Sequence, residues 1–211
     1  MKVLLIGYGH INKLIESNDH IQVVGIVTRS VEEIKEDPDI IIDFSHHSFL
    51  YKTIYYALNY KIPVIIGTTG YKKEELNEII KLSETVPVLT SENFSLGIFL
   101  VKNMLEKNIH IVNKFRKNIY ETHHSLKQDI PSGTALKINE ILNANSIISY
   151  RVENVLGKHK IVLSDDYERI EIIHEVLDRR LFTKNVLLAA QKLKEHKMGL
   201  FKFEDIVNDK L

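Results

Sequence analysis

Apolar and polar positions follow two different rhythms along this chain. Up to Phe94, short apolar runs alternate with amphipathic stretches. Lys2 to Ile6 is a continuous apolar run, the pattern of a strand buried on both faces. Ile21–Val27, Ile40–Phe44, Pro63–Ile66 and Val86–Leu89 repeat it, and the segments between them, such as Phe49–Leu58 and Lys72–Leu82, have helical spacing. Five short strands alternating with helices predict a doubly wound parallel sheet, whose ligands sit at the carboxyl ends of the strands. From Leu96 the rhythm changes. A helix to about Lys107, a strand over Asn118–Thr122 and a helix through Leu142 are followed by three alternating segments, Ile147–Val155, Lys160–Ser164 and Arg169–Val176. These three lack intervening helices and predict a mainly antiparallel sheet. In the last segment Ile170, Ile172 and His174 share one face. A final helix, Asn185–Leu193, and a tail from Gly199 close the chain.

The polar clusters fall where such a sheet would present them. The first strand runs into Gly7-Tyr8-Gly9-His10-Ile11-Asn12, a G-x-G turn opening a helix, which is the dinucleotide-binding position. Asn12 stands where the fingerprint has its third glycine. The second strand ends at Thr28-Arg29-Ser30, about where a residue reading the ribose belongs, roughly 20 residues after the glycines. Asp43-Phe44-Ser45, Gly67-Thr68-Thr69-Gly70 and Asn93-Phe94-Ser95 follow the next three strands.

The densest chemistry lies between Tyr120 and Leu136. His123 and His124 close a strand, where successive side chains face opposite ways. Ile130-Pro131 interrupts regular structure, and Ser132 is a good N-cap for the helix that follows. That helix would offer backbone N–H groups of Gly133 and Thr134 to an anion, and Lys127 can swing over the same charge. Together they suggest an anionic substrate beside a group that transfers a proton near neutral pH. The plainer reading of the same residues is a strand end and a helix cap.

Composition narrows the classes. The chain has 211 residues, 44% hydrophobic and 27% charged, enough for one large or two small globular domains. A net charge of zero gives no electrostatic case for nucleic acid or an anionic membrane. Without cysteine there is neither a disulfide nor a thiolate metal site. The ten histidines include two adjacent pairs, His46-His47 and His123-His124, but none has chelating helical spacing, so no metal site is expected. The apolar start is too short for a signal sequence, and no run approaches membrane-spanning length, so a cytoplasmic protein is expected.

Several motifs together resemble the dihydrodipicolinate reductase (4-hydroxy-tetrahydrodipicolinate reductase) family, in its compact branch. They are Gly7-Tyr-Gly9, Asp43-Phe-Ser45, Gly67-Thr-Thr-Gly70, Asn93-Phe-Ser95-x-Gly97, His123-His124-x-x-Lys127-x-Asp129-x-Pro131-Ser-Gly-Thr134 and Arg169-x-Glu-Ile-x-His174. The resemblance implies an α/β chain: an N-terminal Rossmann-type doubly wound parallel sheet and a C-terminal α+β domain with a mainly antiparallel sheet. The first would be a dinucleotide-binding domain over 1–95, completed by a C-terminal helix over 186–211. The second, over 96–185, would bind substrate and build a homotetramer. It implies reduction by NADPH or NADH of a cyclic unsaturated dicarboxylate to tetrahydrodipicolinate, on the diaminopimelate route to lysine. His123 would be the proton donor and Lys127 a second catalytic group, with His124, Ser132, Gly133, Thr134 and Arg169 binding substrate. Gly7, Tyr8, Gly9, His10, Ile11, Thr28, Arg29, Gly67, Thr68, Thr69, Asn93 and Phe94 would meet the cofactor. The chain departs from the family's pattern at Asn12, at Ser125-Leu126 and at Phe182-Thr-Lys-Asn185; the first bears on cofactor fit, the last on the hinge between domains. Another two-domain dehydrogenase of amino or imino acids needs only the glycine turn, and a dinucleotide-sensing module would need an effector domain.

Overall fold

The computed structural model describes residues 1–208, which divide into two compact units. Met1–Phe94 and the segment from Phe182 onward make one unit; Ser95–Leu181 make the other.

In the first unit, strands β1 (Lys2–Ile6), β2 (Gln22–Val27), β3 (Glu32–Ile34), β4 (Ile40–Asp43), β5 (Val64–Ile66) and β6 (Pro87–Thr90) are joined by helices α1 (His10–Glu16), α2 (Leu50–Tyr60) and α3 (Lys73–Ser83). The second unit holds α4 (Leu96–Lys107), α5 (Ile109–Val112), β7 (Arg116–His123), α6 (Gly133–Leu142), β8 (Ser146–Arg151), β9 (Lys158–Ser164) and β10 (Arg169–Glu175). Then α7 (Arg180–Leu193), β11 (Gly199–Lys202) and α8 (Phe203–Asn208) complete the described chain.

The seven strands of the first unit lie in the order β11-β6-β5-β4-β1-β2-β3, all parallel except the β2–β3 pair. Alternation along the central strands sorts their side chains to two apolar layers. Val3, Leu5, Ile40 and Ile42 pack with Ile15 of α1, with Val186, Ala190 and Leu193 of α7, and with Phe203. Leu4, Ile6, Ile41 and Val64 pack with Leu50 and Ala57 of α2 and with Ile79 and Leu82 of α3. Helices thus cover both faces, and the strand order reverses between β1 and β4, where α/β sheets of this kind open a crevice for ligands.

Two strands escaped the sequence reading. Glu32 and Glu33 pair with Val27 and Ile26 as the antiparallel edge strand β3. The tail Gly199–Lys202 pairs in parallel with β6 as the opposite edge. The last helix also begins at Arg180, five residues ahead of its expected start, so the divergent Phe182–Asn185 segment is helical.

The second unit carries a four-stranded sheet ordered β10-β9-β7-β8, antiparallel except for the β7–β8 pair. Strand β8 stops at Arg151, short of the expected Val155. Ile119 and Ile161 face Val101, Leu105, Ala135, Ile138 and Leu142 of α4 and α6. The other face is bare: Ile148, Tyr150 and Ile173 are exposed there.

Candidate active site

The first unit presents its glycine turn at the crevice. Gly7 has φ +83°, and a Cβ there would lie 2.8 Å from Cβ of Ser45, so only glycine fits. Gly9 is the N-cap of α1; no side chain caps the helix, and its first turn holds no acid. A Cβ on Gly9 would meet nothing nearer than the Phe44 carbonyl at 3.9 Å, leaving room for a group to approach the backbone. An uncapped helix start with an open glycine fits a dinucleotide pyrophosphate. Asn12 belongs to this turn: fully buried, it donates through Nδ2 to the carbonyls of Ile6 and Gly7, both at 2.9 Å. The departure from glycine therefore braces the turn.

Asp43, at the end of β4, organises the neighbouring loops. Its fully buried carboxylate accepts from the Ser45 N–H (3.0 Å) and from the hydroxyls of Ser45 (2.5 Å), Thr68 (2.9 Å) and Thr53 (2.7 Å). Burial pushes its pKa up, and these hydrogen bonds oppose the rise. Thr68 Oγ1 also accepts the Ser45 N–H, so the loops after β4 and β5 are tied together. The Thr68 side chain is committed to this knot, whereas Thr69 and Gly70 are exposed. Gly67 is required because a Cβ would fall 2.1 Å from the Phe44 ring.

The other expected cofactor residues are spread along the same edge. The Tyr8 hydroxyl donates to Glu16, His10 is exposed, and Ile11 packs on the core. Thr28 Oγ1 accepts from the N–H groups of Ser30 and Val31, forming a tight turn with Arg29 exposed at its tip. Asn93 is half-buried in a turn with Ser91. Phe94 is 2% exposed, between the rings of Phe44 and Phe203, and its carbonyl accepts from Asn185 Nδ2 at 2.7 Å. Its side chain is core.

In the second unit the apolar face of the sheet turns polar at one end. Glu121 of β7, His159 of β9 and His174 of β10 stand in register across three strands, and Arg151 of β8 stands opposite His123. His123 is buried, and its Nδ1 lies 2.5 Å from Oε2 of Glu121. Arg151 grips both carboxylate oxygens of Glu121 at 3.0 Å. It also donates to three backbone carbonyls: Tyr150 (2.7 Å), Lys127 (3.1 Å) and Asp129 (2.6 Å). Burial alone would raise Glu121, but hydrogen bonds led by Arg151 hold its pKa below the usual range. Burial pushes His123 down against the pull of Glu121, and pushes His174 down as well.

Ser132 caps α6 as expected, accepting the Ala135 N–H at 3.3 Å, and its hydroxyl lies 3.1 Å from Nε2 of His159. Ser95 caps α4 in the same way and meets Nε2 of His174 at 3.1 Å. Burial and the neighbouring His123 and His174 drive the His159 pKa down to about 3.

The anion seat at α6 differs from expectation. The Gly133 N–H is not free; it donates to Oδ2 of Asp129 at 3.3 Å, and Oδ1 of Asp129 pairs with Lys127 Nζ at 2.7 Å. A carboxylate of the chain itself occupies the position assigned to a substrate. His124 is half-buried beyond the end of β7, and Thr134 lies in the first turn of α6. Arg169 is not brought here. It opens β10 opposite Ser164, which pairs with Arg116 at the far end of β7, and it is paired with Glu171. Seven residues of strand, on the order of 20 Å, separate that end from His123. Alternation fixes which face Arg169 shares, but only strand register fixes the end. Among the described residues no His, Asp or Glu cluster could hold a metal ion, and no helix is long and apolar enough to cross a membrane.

Comparison with known proteins covers both units. Residues 1–94 match the family described as dihydrodipicolinate reductase, N-terminus, and residues 97–207 match its C-terminus. The 4-hydroxy-tetrahydrodipicolinate reductase of Thermosipho africanus is 37% identical over 84% of this chain and 83% of its own length. The enzyme of the same name from Caldanaerobacter subterraneus is 31% identical, covering 92% of this chain and 91% of its own. Among solved structures, a dipicolinate-bound dihydrodipicolinate reductase from Paenisporosarcina sp. TG-14 shares the fold with a TM-score of 0.78 at 18% identity, over 97% of this chain and 98% of that one. A probable dehydrogenase from Thermotoga maritima shares it more loosely, with a TM-score of 0.63 at 11% identity over 98% and 92% of the two chains. With both halves of the family matched in order and relatives above 30% identity over more than four fifths of both chains, the chain belongs to the dihydrodipicolinate reductase family.

Proposed function

We propose that this chain reduces 4-hydroxy-tetrahydrodipicolinate, or its dehydrated form, to tetrahydrodipicolinate, using NADPH or NADH, on the diaminopimelate route to lysine. The observation that carries the reading is the end of β7. A buried histidine bonded through Nδ1 to a carboxylate lies on the same short segment as a lysine and a capped helix start. A bound nicotinamide supplies the hydride. His123 then delivers a proton to the electron density that the hydride leaves, since a histidine exchanges protons near the working pH. Lys127 holds a substrate carboxylate and stabilises negative charge as it develops. Gly133 and Thr134 offer main-chain donors to the same carboxylate once Asp129 yields its place. The relative from Paenisporosarcina sp. TG-14, described as dipicolinate-bound, supports a ring dicarboxylate as the ligand class.

On this reading the first unit holds the dinucleotide along the Gly7–Gly9 turn and the second holds the substrate. The exposed Ile148, Tyr150 and Ile173 favour assembly through the bare sheet face, consistent with a homotetramer. The cytoplasm is the compartment proposed. The direct test couples the protein to a dihydrodipicolinate synthase and follows nicotinamide absorbance. Oxidation that depends on both the synthase and this chain is the expected result; no oxidation with either dinucleotide would overturn the assignment.

A further inference from the structure

We propose that Glu121, clamped by Arg151, is a positioning residue that fixes His123 as an Nδ1–H donor and commits Nε2 as the atom that hands over the proton. The inference rests on the reading of His123 as the proton donor. Glu121 Oε2 and His123 Nδ1 are 2.5 Å apart, with Glu121 fully buried. An ionised carboxylate can only accept, so the proton in that contact belongs to Nδ1. Arg151 keeps Glu121 ionised by binding both of its oxygens, and the Ser132 N–H adds a weaker contact at 3.3 Å. The carboxylate therefore cannot rotate away from the histidine without breaking the fork.

The other ring nitrogen is kept clear. His123 Nε2 has no hydrogen-bond partner among the described residues, and the chain opposite it is Gly157. A Cβ on Gly157 would stand 3.1 Å from Nε2, so any side chain there would crowd the atom that must reach a substrate. One nitrogen is held and the other is left open.

The charges around the ring set its proton affinity. Glu121 on β7 favours the imidazolium; burial, Lys127 on the following loop and Arg151 on β8 oppose it. His159 on β9, with ring centroids 5.2 Å away, is held neutral at working pH, and His174 on β10 lies beyond it. Glu121 is thus the one nearby group that opposes discharge of the acid. Arg151 carries a second duty, because its bonds to the carbonyls of Lys127 and Asp129 fix the loop bearing the lysine relative to the same histidine.

The test is the pH dependence of turnover in the coupled assay. Glu121→Gln keeps the shape and removes the charge. Loss of a close opposite charge shifts a pKa by roughly 1–3 units, so the alkaline limb of kcat should move to lower pH by about that much. Turnover at pH 8 should fall about tenfold or more, while substrate KM and NADPH Kd stay as in the wild type. An unmoved limb, or a KM that rises in step with the fall in kcat, overturns the proposal. His123→Gln is measured beside it. If that variant retains wild-type kcat, His123 is not the acid and the positioning role falls with it. If it is inactive while the Glu121→Gln limb stays in place, the acid stands and only the positioning role is overturned. A measurement on the wild type is independent of how the variants fold. In ¹⁵N-histidine spectra Nδ1 of His123 should remain protonated across the titration, with Nε2 the titrating nitrogen; the reverse assignment overturns the proposal.

Discussion

The Ser132 hydroxyl lies 3.1 Å from Nε2 of His159 and also accepts the Ala135 N–H, so one oxygen joins the cap of α6 to the histidine of β9. The other ring nitrogen of His159, Nδ1, is buried without a partner. As an imidazolium, His159 would carry a buried Nδ1–H with no acceptor.

This relationship has a thermodynamic signature. The His159 pKa is about 3 in the fold against 6.5 for the free group. Below pH 6.5 the unfolded chain takes up a proton that the folded chain refuses. The stability this residue contributes is present above pH 6.5 and is lost progressively as pH falls toward 3. The slope over that window is on the order of 1.4 kcal/mol per pH unit. His159→Gln should flatten the fall in stability between pH 7 and pH 5, measured by urea unfolding at each pH. His123 and His174, both also lowered, would leave a residual slope of the same sign. Parallel curves for wild type and variant would show that His159 does not titrate with unfolding.

Lys127 pairs with Asp129 and stands on the loop that Arg151 fastens. Lys127→Ala should raise substrate KM and lower kcat together, because the ammonium serves both the bound carboxylate and the transition state. Steady-state kinetics with each substrate varied separate the cases. A change confined to the cofactor KM would place this lysine in the wrong site.

Asp129 competes for the seat it occupies. Asp129→Asn keeps the side chain's shape and removes the charge that pairs with Lys127 and faces the Gly133 N–H. The pair is half exposed and worth at most about 1 kcal/mol, so dipicolinate should bind up to about fivefold more tightly at low salt. The gain should shrink as salt screens it. Calorimetric titration checks this, and weaker binding would mean that Asp129 supports the seat instead of contesting it.

Arg29 sits at the tip of the turn after β2, exposed and in no ion pair among the described residues. The nearest following carboxylate, Glu32, is engaged by Lys52 and Tyr56 and its pKa is lowered, chiefly by Lys52. Glu32 stands across from Val27, the last residue of β2, but its carboxylate is committed to Lys52 and Tyr56 and not to a ribose. NADPH should serve at least as well as NADH. Arg29→Ala should weaken NADPH by about ten- to a hundredfold, the loss of a charge-assisted hydrogen bond of roughly 1.5–3 kcal/mol, with a smaller effect on NADH. Equal losses for the two dinucleotides would remove Arg29 from recognition of the phosphate.

Periodicity made the doubly wound sheet legible because β1, β4 and β5 are buried on both faces and read as uninterrupted apolar runs. The edge strands were not legible for the same reason inverted. Glu32–Ile34 has no alternation to speak of, and Gly199–Lys202 becomes a strand only by pairing with residues far back in the chain. In the site, the His-His to Ser-Gly-Thr block announced itself by composition. Glu121 did not, since a charged residue in an alternating strand reads as solvent-facing until Arg151 is seen to neutralise it. The signal was available: residues two apart on a strand share a face, and Glu121 is two before His123. Arg169 shows the limit of that signal, as it lies at the wrong end of the same sheet.

The placement of β11 beside β6 carries a consequence for how the protein is made. When β6 leaves the ribosome its outer edge is bare, and the strand that covers it lies about a hundred residues further on, on the order of ten seconds of translation. Throughout that interval the nascent sheet presents unpaired backbone groups, the kind of edge that recruits foreign strands. Cysteine-free as it is, the growing chain has no disulfide to close the gap. Its exposure during synthesis lasts as long as the lag between the two parts of one sheet, and ribosome-stalled chains halted before Gly199 should be the species that chaperones capture.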